Sequence, residues 1–153
     1  MKSYSSGYSD MEELKLILIV GPTASGKTAA SIYAAIKLNG EIVSADSIQV
    51  YKGMDIGSAK PTMQERQGIP HHLMDAIDIN SPKFSVAEFR KMAGEAIEDI
   101  AGRGKQPIVV GGTGLYINSL VFPLNFTEVQ SDEKLRSELS EIEERQGRGT
   151  LHA

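Results

Sequence analysis

An α/β fold, a parallel sheet with helices on its faces, is predicted by three features of the sequence. Leu16-Ile-Leu-Ile-Val20 is an apolar, largely β-branched run that passes straight into Gly21-x-x-x-x-Gly26-Lys27-Thr28 and then into an Ala-rich stretch of helical pattern. Gln106-Pro-Ile-Val-Val110 repeats the opening of that plan and ends in Gly111-Gly112-Thr113-Gly114. Between them, Ser85 to Gly102 carries the periodicity of a long amphipathic helix. Strands alternating with helices pair in parallel through right-handed crossovers, and open sheets of this kind take ligands at the carboxyl ends of their strands.

The whole chain bounds the reading. Its 153 residues suffice for one domain with a sizeable core. Apolar content of 41% and charged content of 24% are ordinary for a soluble globular protein. A net charge of −4 gives no overall basic footprint, which counts against nucleic-acid binding by these residues alone. The absence of cysteine excludes disulfides and thiolate metal sites. Residues 1–13 are Ser-rich, polar and without periodicity, so a mobile N-terminal tail is expected there. They lack the apolar stretch and cleavage site of a secretory signal, and the first apolar run is too short to span a bilayer, so the expectation is a cytoplasmic protein without membrane contact.

The first strand, Leu16–Val20, reads as buried on both faces. The motif after it fits a phosphate-binding loop. Gly21 and Gly26 leave the backbone free to turn successive N–H groups onto one anion, and the following helix adds donors and the positive end of its dipole. Lys27 supplies a mobile charge for outer phosphate oxygens, and the Thr28 hydroxyl can help hold Mg²⁺. The helix is expected over Ala29–Leu38, stopping at Asn39-Gly40.

Glu41–Ala45 reads as a second strand, which places Asp46 near the phosphate loop. Three roles compete for Asp46: a turn or N-cap residue, a Mg²⁺-associated carboxylate, or a general base. Lys52–Pro61 reads as a solvated loop, with Lys52 and Lys60 available for anions. Thr62–Gly68 has the look of a short helix. Ile69–Asp75 is expected to be extended, because the residue before Pro70 disfavours helix. Adjacent histidines on a strand point to opposite faces, so His71 and His72 make a poor metal pair and read as structural or substrate-contacting.

Ser85-Val-Ala-Glu88 is a capping box, and Phe84 with Phe89 has the spacing of a hydrophobic staple. Val86, Phe89, Met92, Ala93, Ala96, Ile97 and Ile100 form one apolar face, ended by Gly102 and Gly104. After Val110, Gly and Thr stand where an ordinary nucleoside triphosphatase often has an acidic residue. Thr113 is thus either a ligand-contacting hydroxyl or part of a tight turn. Phe122-Pro123-Leu124 breaks the pattern, and Asp132–Gln146 reads as a charged helix with a narrow stripe of Leu135, Leu139 and Ile142, stopping at Gly147. Six acidic against four basic residues over 132–148 do not make a phosphate-tracking surface.

Gly-Pro-Thr-Ala-Ser-Gly-Lys-Thr at 21–28, Asp-Ser-Ile-Gln-Val-Tyr at 46–51 and Gly-Gly-Thr-Gly-Leu-Tyr at 111–116 together resemble the tRNA dimethylallyltransferase (tRNA isopentenyltransferase) family. Ile-Gly-Ser-Ala-Lys-Pro at 56–61 and Pro-His-His-Leu at 70–73 match as well, so the resemblance covers about residues 16 to 153. It implies a P-loop NTPase-like core over 14–121 and, over 122–153, the start of a helical tRNA-binding insertion domain. It also implies transfer of a dimethylallyl group from dimethylallyl diphosphate to N6 of an adenine next to the tRNA anticodon. Gly21, Pro22, Thr23, Ala24, Ser25, Gly26, Lys27 and Thr28 would hold the diphosphate, with Mg²⁺ on Thr28, and Asp46 would act as general base. Asp46, Ser47, Ile48, Gln49, Thr113 and Arg136 would contact tRNA. The family's members are longer than this chain, which implies an N-terminal fragment with weak activity or none; a monomer is expected at full length. Prenyl transfer onto free AMP, ADP or ATP, phosphoryl transfer by a kinase with the same loop, and diphosphate binding without catalysis are the alternative readings.

Overall fold

The computed structural model describes residues 15–81, 84–123, 132–147 and 149–152. The expected tail over 1–13 lies outside them. Four strands, β1 (Ile17–Val20), β2 (Gly40–Ser44), β3 (His71–His72) and β4 (Gln106–Gly111), form one parallel sheet in the order β1-β4-β2-β3. Side chains alternate along a strand, so Ile42 and Ile108 reach one face while Val43 and Val109 reach the other. The first face packs on α1 (Lys27–Leu38) through Ile32 and Ala35. The second packs on α2 (Val86–Gly102) and α3 (Gly114–Val121) through Phe89, Ala93, Ile97, Ile100 and Tyr116. Helices on both faces are what the alternation of strands and helices requires.

β1 and the residue before it feed both cores, Ile17 and Ile19 into the first, Leu16 and Leu18 into the second. Its expected burial is only half realised. Among the described residues β1 is one of the two edge strands, its residues are partly covered, and Val20 is 56% exposed.

Helix ends follow the local chemistry. The α2 capping box is complete: the Glu88 N–H donates to Ser85 Oγ, and the Ser85 N–H donates to the Glu88 carboxylate at 2.7 Å. Phe84 and Phe89 both meet Tyr116, Phe89 stacked at 4.0 Å between ring centres and Phe84 edge-on at 6.3 Å. At the start of α1, Gly26 takes the N-cap at φ +82°, so the helix begins at Lys27, earlier than its apolar pattern. At its end, Asn39 adopts the left-handed conformation.

The expected helix over Thr62–Gly68 is a set of turns instead. Its start is capped as a helix would be, the Glu65 N–H donating to Thr62 Oγ1 and the Thr62 N–H to the Glu65 carboxylate. Gln67 and Gly68 then adopt positive φ, which ends the winding after one turn. Past α3, α4 (Glu133–Gln146) starts on the Asp132 carboxylate, which accepts from the Leu135 N–H at 2.9 Å, and stops at Gly147. It packs on a 3₁₀ turn at Thr150–His152, with Leu135, Leu139 and Ile142 partly exposed. Among the described residues no helix is long and apolar enough to cross a membrane.

Candidate active site

The carboxyl ends of the strands open onto a cavity of about 760 Å³. Its lining begins with the loop and first helical turn, Thr23 to Ala29, and continues along α1 through Ile32, Tyr33 and Ile36. Asp46 and Gln49 enter from the end of β2, and Ser58 and Ala59 from the loop after it. This volume lies in the usual range for small-molecule sites, about 300–1,000 Å³.

Within the loop, Ala24 sits at φ +63° and Gly26 at φ +82°, so one of the two left-handed positions carries a side chain. Such a placement costs about 1–2 kcal/mol for a non-glycine residue. The Lys27 ammonium is turned back onto the Pro22 carbonyl oxygen and lies 3.5 Å from Ser25 Oγ. Thr28 lines the cavity, and its carbonyl accepts from Ser31 Oγ at 2.8 Å, which fixes the first turn of α1.

Asp46 divides its two oxygens. Oδ1 accepts from the N–H groups of Ile48 (2.9 Å) and Gln49 (3.2 Å), the turn geometry that was one of its three readings. Oδ2 has no partner within the chain among the described residues, and the carboxylate borders the cavity. Thr113 braces this turn from 66 residues away: its Oγ1 accepts from the Ser47 N–H at 3.1 Å and lies 3.3 Å from Ser47 Oγ. The Thr113 N–H in turn donates to the Ala45 carbonyl at 3.4 Å. The ends of β2 and β4 meet so closely that a Cβ on Gly111 would lie 2.2 Å from the Ala45 oxygen. Tyr116 lies behind the turn; burial raises its hydroxyl pKa, and the charges of Tyr51 and Asp46 add to the rise.

The Gln49 side chain is engaged inside the chain. Its amide nitrogen donates to the carbonyls of Ser58 (3.0 Å) and Ala59 (3.2 Å), and its oxygen lies 3.4 Å from Ser44 Oγ. Arg136 is exposed on α4 and lies outside the cavity lining. Lys60 is a correction: it is not a solvated cation available to anions but has a side chain only 5% exposed, bonded to Tyr51 O, Asp55 and Asp75. The histidines face apart as expected. His72 Nε2 lies 2.7 Å from Glu41, while His71 pairs with the Ile69 carbonyl at 2.8 Å and is pushed down in pKa by burial.

Sequence reasoning missed the wall at Ser58 and Ala59 and the part played by Tyr33 and Ile36, which read as ordinary helix residues. The signal for the wall was the Ile56–Pro61 segment, noticed only through its resemblance. No three His, Asp or Glu side chains converge as a metal site among the described residues.

A phosphate loop between the first strand and helix of a parallel sheet, facing a carboxylate at the end of the next strand, defines a P-loop-like α/β protein. The chain belongs to the IPP transferase family, whose model matches residues 49–153. It is 54% identical over 142 residues to a tRNA dimethylallyltransferase of an Exiguobacterium species, covering 93% of this chain and 45% of that protein. The solved tRNA isopentenylpyrophosphate transferase of Bacillus halodurans matches with a TM-score of 0.73 at 48% identity, over 87% of this chain and 44% of that one. The enzyme of Staphylococcus epidermidis matches with a TM-score of 0.69 at 52% identity, over 84% and 41%. The chain thus spans less than half the length of these relatives.

Proposed function

We propose that this chain is the donor-binding half of an enzyme that moves a dimethylallyl group from its diphosphate to N6 of an adenine beside the tRNA anticodon. The observation that carries the reading is the shared cavity of the 23–28 loop and Asp46. Loop N–H groups from Thr23 to Thr28 cradle the diphosphate. Lys27 leaves the Pro22 carbonyl for the outer oxygens and offsets charge as the bond from carbon 1 to oxygen breaks. The adenine nitrogen attacks carbon 1, diphosphate departs, and Oδ2 of Asp46 takes the proton released from N6. The Thr28 hydroxyl, with phosphate oxygens and water, would hold Mg²⁺, whose chemistry here is charge neutralisation on the leaving group. A single hydroxyl beside the loop, with no converging carboxylate set among the described residues, suits a metal that arrives on phosphate rather than one caged by protein.

On this reading Ser47 and Ile48 meet the flipped adenine, Gln49 and Thr113 hold the turn behind it, and Arg136 reaches tRNA from a helical insertion that starts after residue 121. The enzyme works in the cytoplasm, as a monomer at full length. The test is ligand-induced thermal stabilisation with Mg²⁺, comparing a non-reactive dimethylallyl diphosphate analogue with ATP. A larger shift with the prenyl analogue is expected; a larger shift with ATP would overturn the reading in favour of phosphoryl transfer. In a chain extended to the length of its relatives, Asp46→Ala lowers transfer by about 10²–10⁴-fold, the usual worth of a general base, and leaves diphosphate binding intact.

A further inference from the structure

Ser58 and Ala59 form part of the cavity wall yet belong to no helix or strand, so their place depends on what holds them. Two side chains do. Gln49 grips both carbonyls from the turn that carries Asp46. Lys60, the next residue along, spends its three ammonium protons on Tyr51 O (3.1 Å), Asp55 (2.8 Å) and Asp75 (2.6 Å). Asp75 is itself fixed, its N–H donating to the Gln49 carbonyl and its carboxylate lying 3.7 Å from Arg66. Burial disfavours the ammonium, but the two carboxylates outweigh it and hold Lys60 above the usual lysine range, hence charged.

The lining of the cavity between this wall and the loop is mixed. Besides the loop and Lys27 it takes in the apolar side chains of Ile32, Tyr33, Ile36, Ala59 and Val110, with the polar Glu65 and Gln67 also on it. We infer that Lys60 is a positioning residue that sets the spacing of Ala59 from the apolar face of α1, and so gives the site its preference for a diphosphate bearing a short branched hydrocarbon over diphosphate alone. The inference rests on the donor-site reading above. On that reading the loop alone holds a bare diphosphate, whereas an attached five-carbon chain also gains the apolar side chains that share the cavity with Ala59.

The experiment is calorimetric titration of this chain, with Mg²⁺, using inorganic diphosphate and a thiolo analogue of dimethylallyl diphosphate. The unaltered chain is expected to favour the analogue by about tenfold or more, the worth of two buried methylene groups. Lys60→Met removes most of that preference while leaving diphosphate affinity unchanged, and Lys60→Arg, which keeps the charge, retains part of it. Asp55→Asn loosens the same clamp from its exposed side and lowers the preference less; it decides the matter if Lys60→Met fails to melt cooperatively. A preference unaltered in the variants overturns the inference alone. No preference in the unaltered chain overturns the donor-site reading, and the inference with it.

Discussion

Glu41 and Asp46 stand at opposite ends of β2 and show two uses of one functional group. Glu41, 2% exposed, lies at the amino end and accepts from Arg103 at 2.7 and 2.8 Å, from Lys105 at 2.7 Å and from His72 at 2.7 Å. The Arg103 guanidinium, more than the other partners, holds its pKa far below the usual carboxylate range despite burial. Asp46, at the carboxyl end, commits one oxygen to its own turn and leaves the other without a partner among the described residues, on a side chain that borders the cavity. A carboxylate with every acceptor site filled ties elements together; one with an oxygen to spare is available for chemistry. Burial alone would have pointed to Glu41 as the unusual residue. Unspent hydrogen-bonding capacity points to Asp46.

Three changes would break or sharpen this contrast. The largest effect is expected of Glu41→Ala, which strands Arg103 and Lys105 at the back of the sheet. A broken buried pair costs about 3–5 kcal/mol, and partial exposure of both cations brings the expected loss to about 3. Urea unfolding checks it. The pH dependence has a definite sign. Because the folded pKa lies below the unfolded value near 4.5, this stabilisation is complete above that pH and is lost as pH falls toward the folded value. The melting temperature of the wild-type chain should therefore drop below pH 4.5 more steeply than that of Glu41→Gln.

Gly111→Ala acts at the other end of β2. Its methyl group would meet the Ala45 carbonyl, and overpacking against backbone costs about 1–3 kcal/mol. It should also weaken binding of the prenyl analogue, since the Asp46 turn follows Ala45, and titration would show whether affinity falls along with stability. The smallest effect is expected of Asp46→Ala on stability, about 1 kcal/mol for a lost cap, against the large loss of transfer that the proposed function expects of it. A loss as large as that of Glu41→Ala in the same urea experiment would erase the distinction between the two carboxylates.

What the sequence disclosed follows from how local each signal is. The loop between β1 and α1, the capping box at Ser85 and the apolar stripe of α2 lie within a few residues or turns, and each stands where its pattern put it. Asp46 could be placed near the loop because a parallel crossover fixes which sheet edge it joins. Partnerships across long separations were not legible. Glu41 meets Arg103 from 62 residues away and Thr113 meets Ser47 from 66, and nothing in either neighbourhood names the other. Lys60 misled for a related reason: a lysine among glycines looks solvated until the fold brings Asp75 beside it. The half-burial of β1 depended on strand order, which apolar content does not encode.

The outer position of β1 has a consequence for local motion. Among the described residues its backbone is paired along one side, to β4, so the strand leading into the 21–28 loop can open at less cost than β2, which is paired on both sides. Amide hydrogens at the end of β1 should then exchange with solvent faster than those of β2. Anchoring of an anion by the loop would slow that exchange, making this edge strand a sensitive reporter of occupancy.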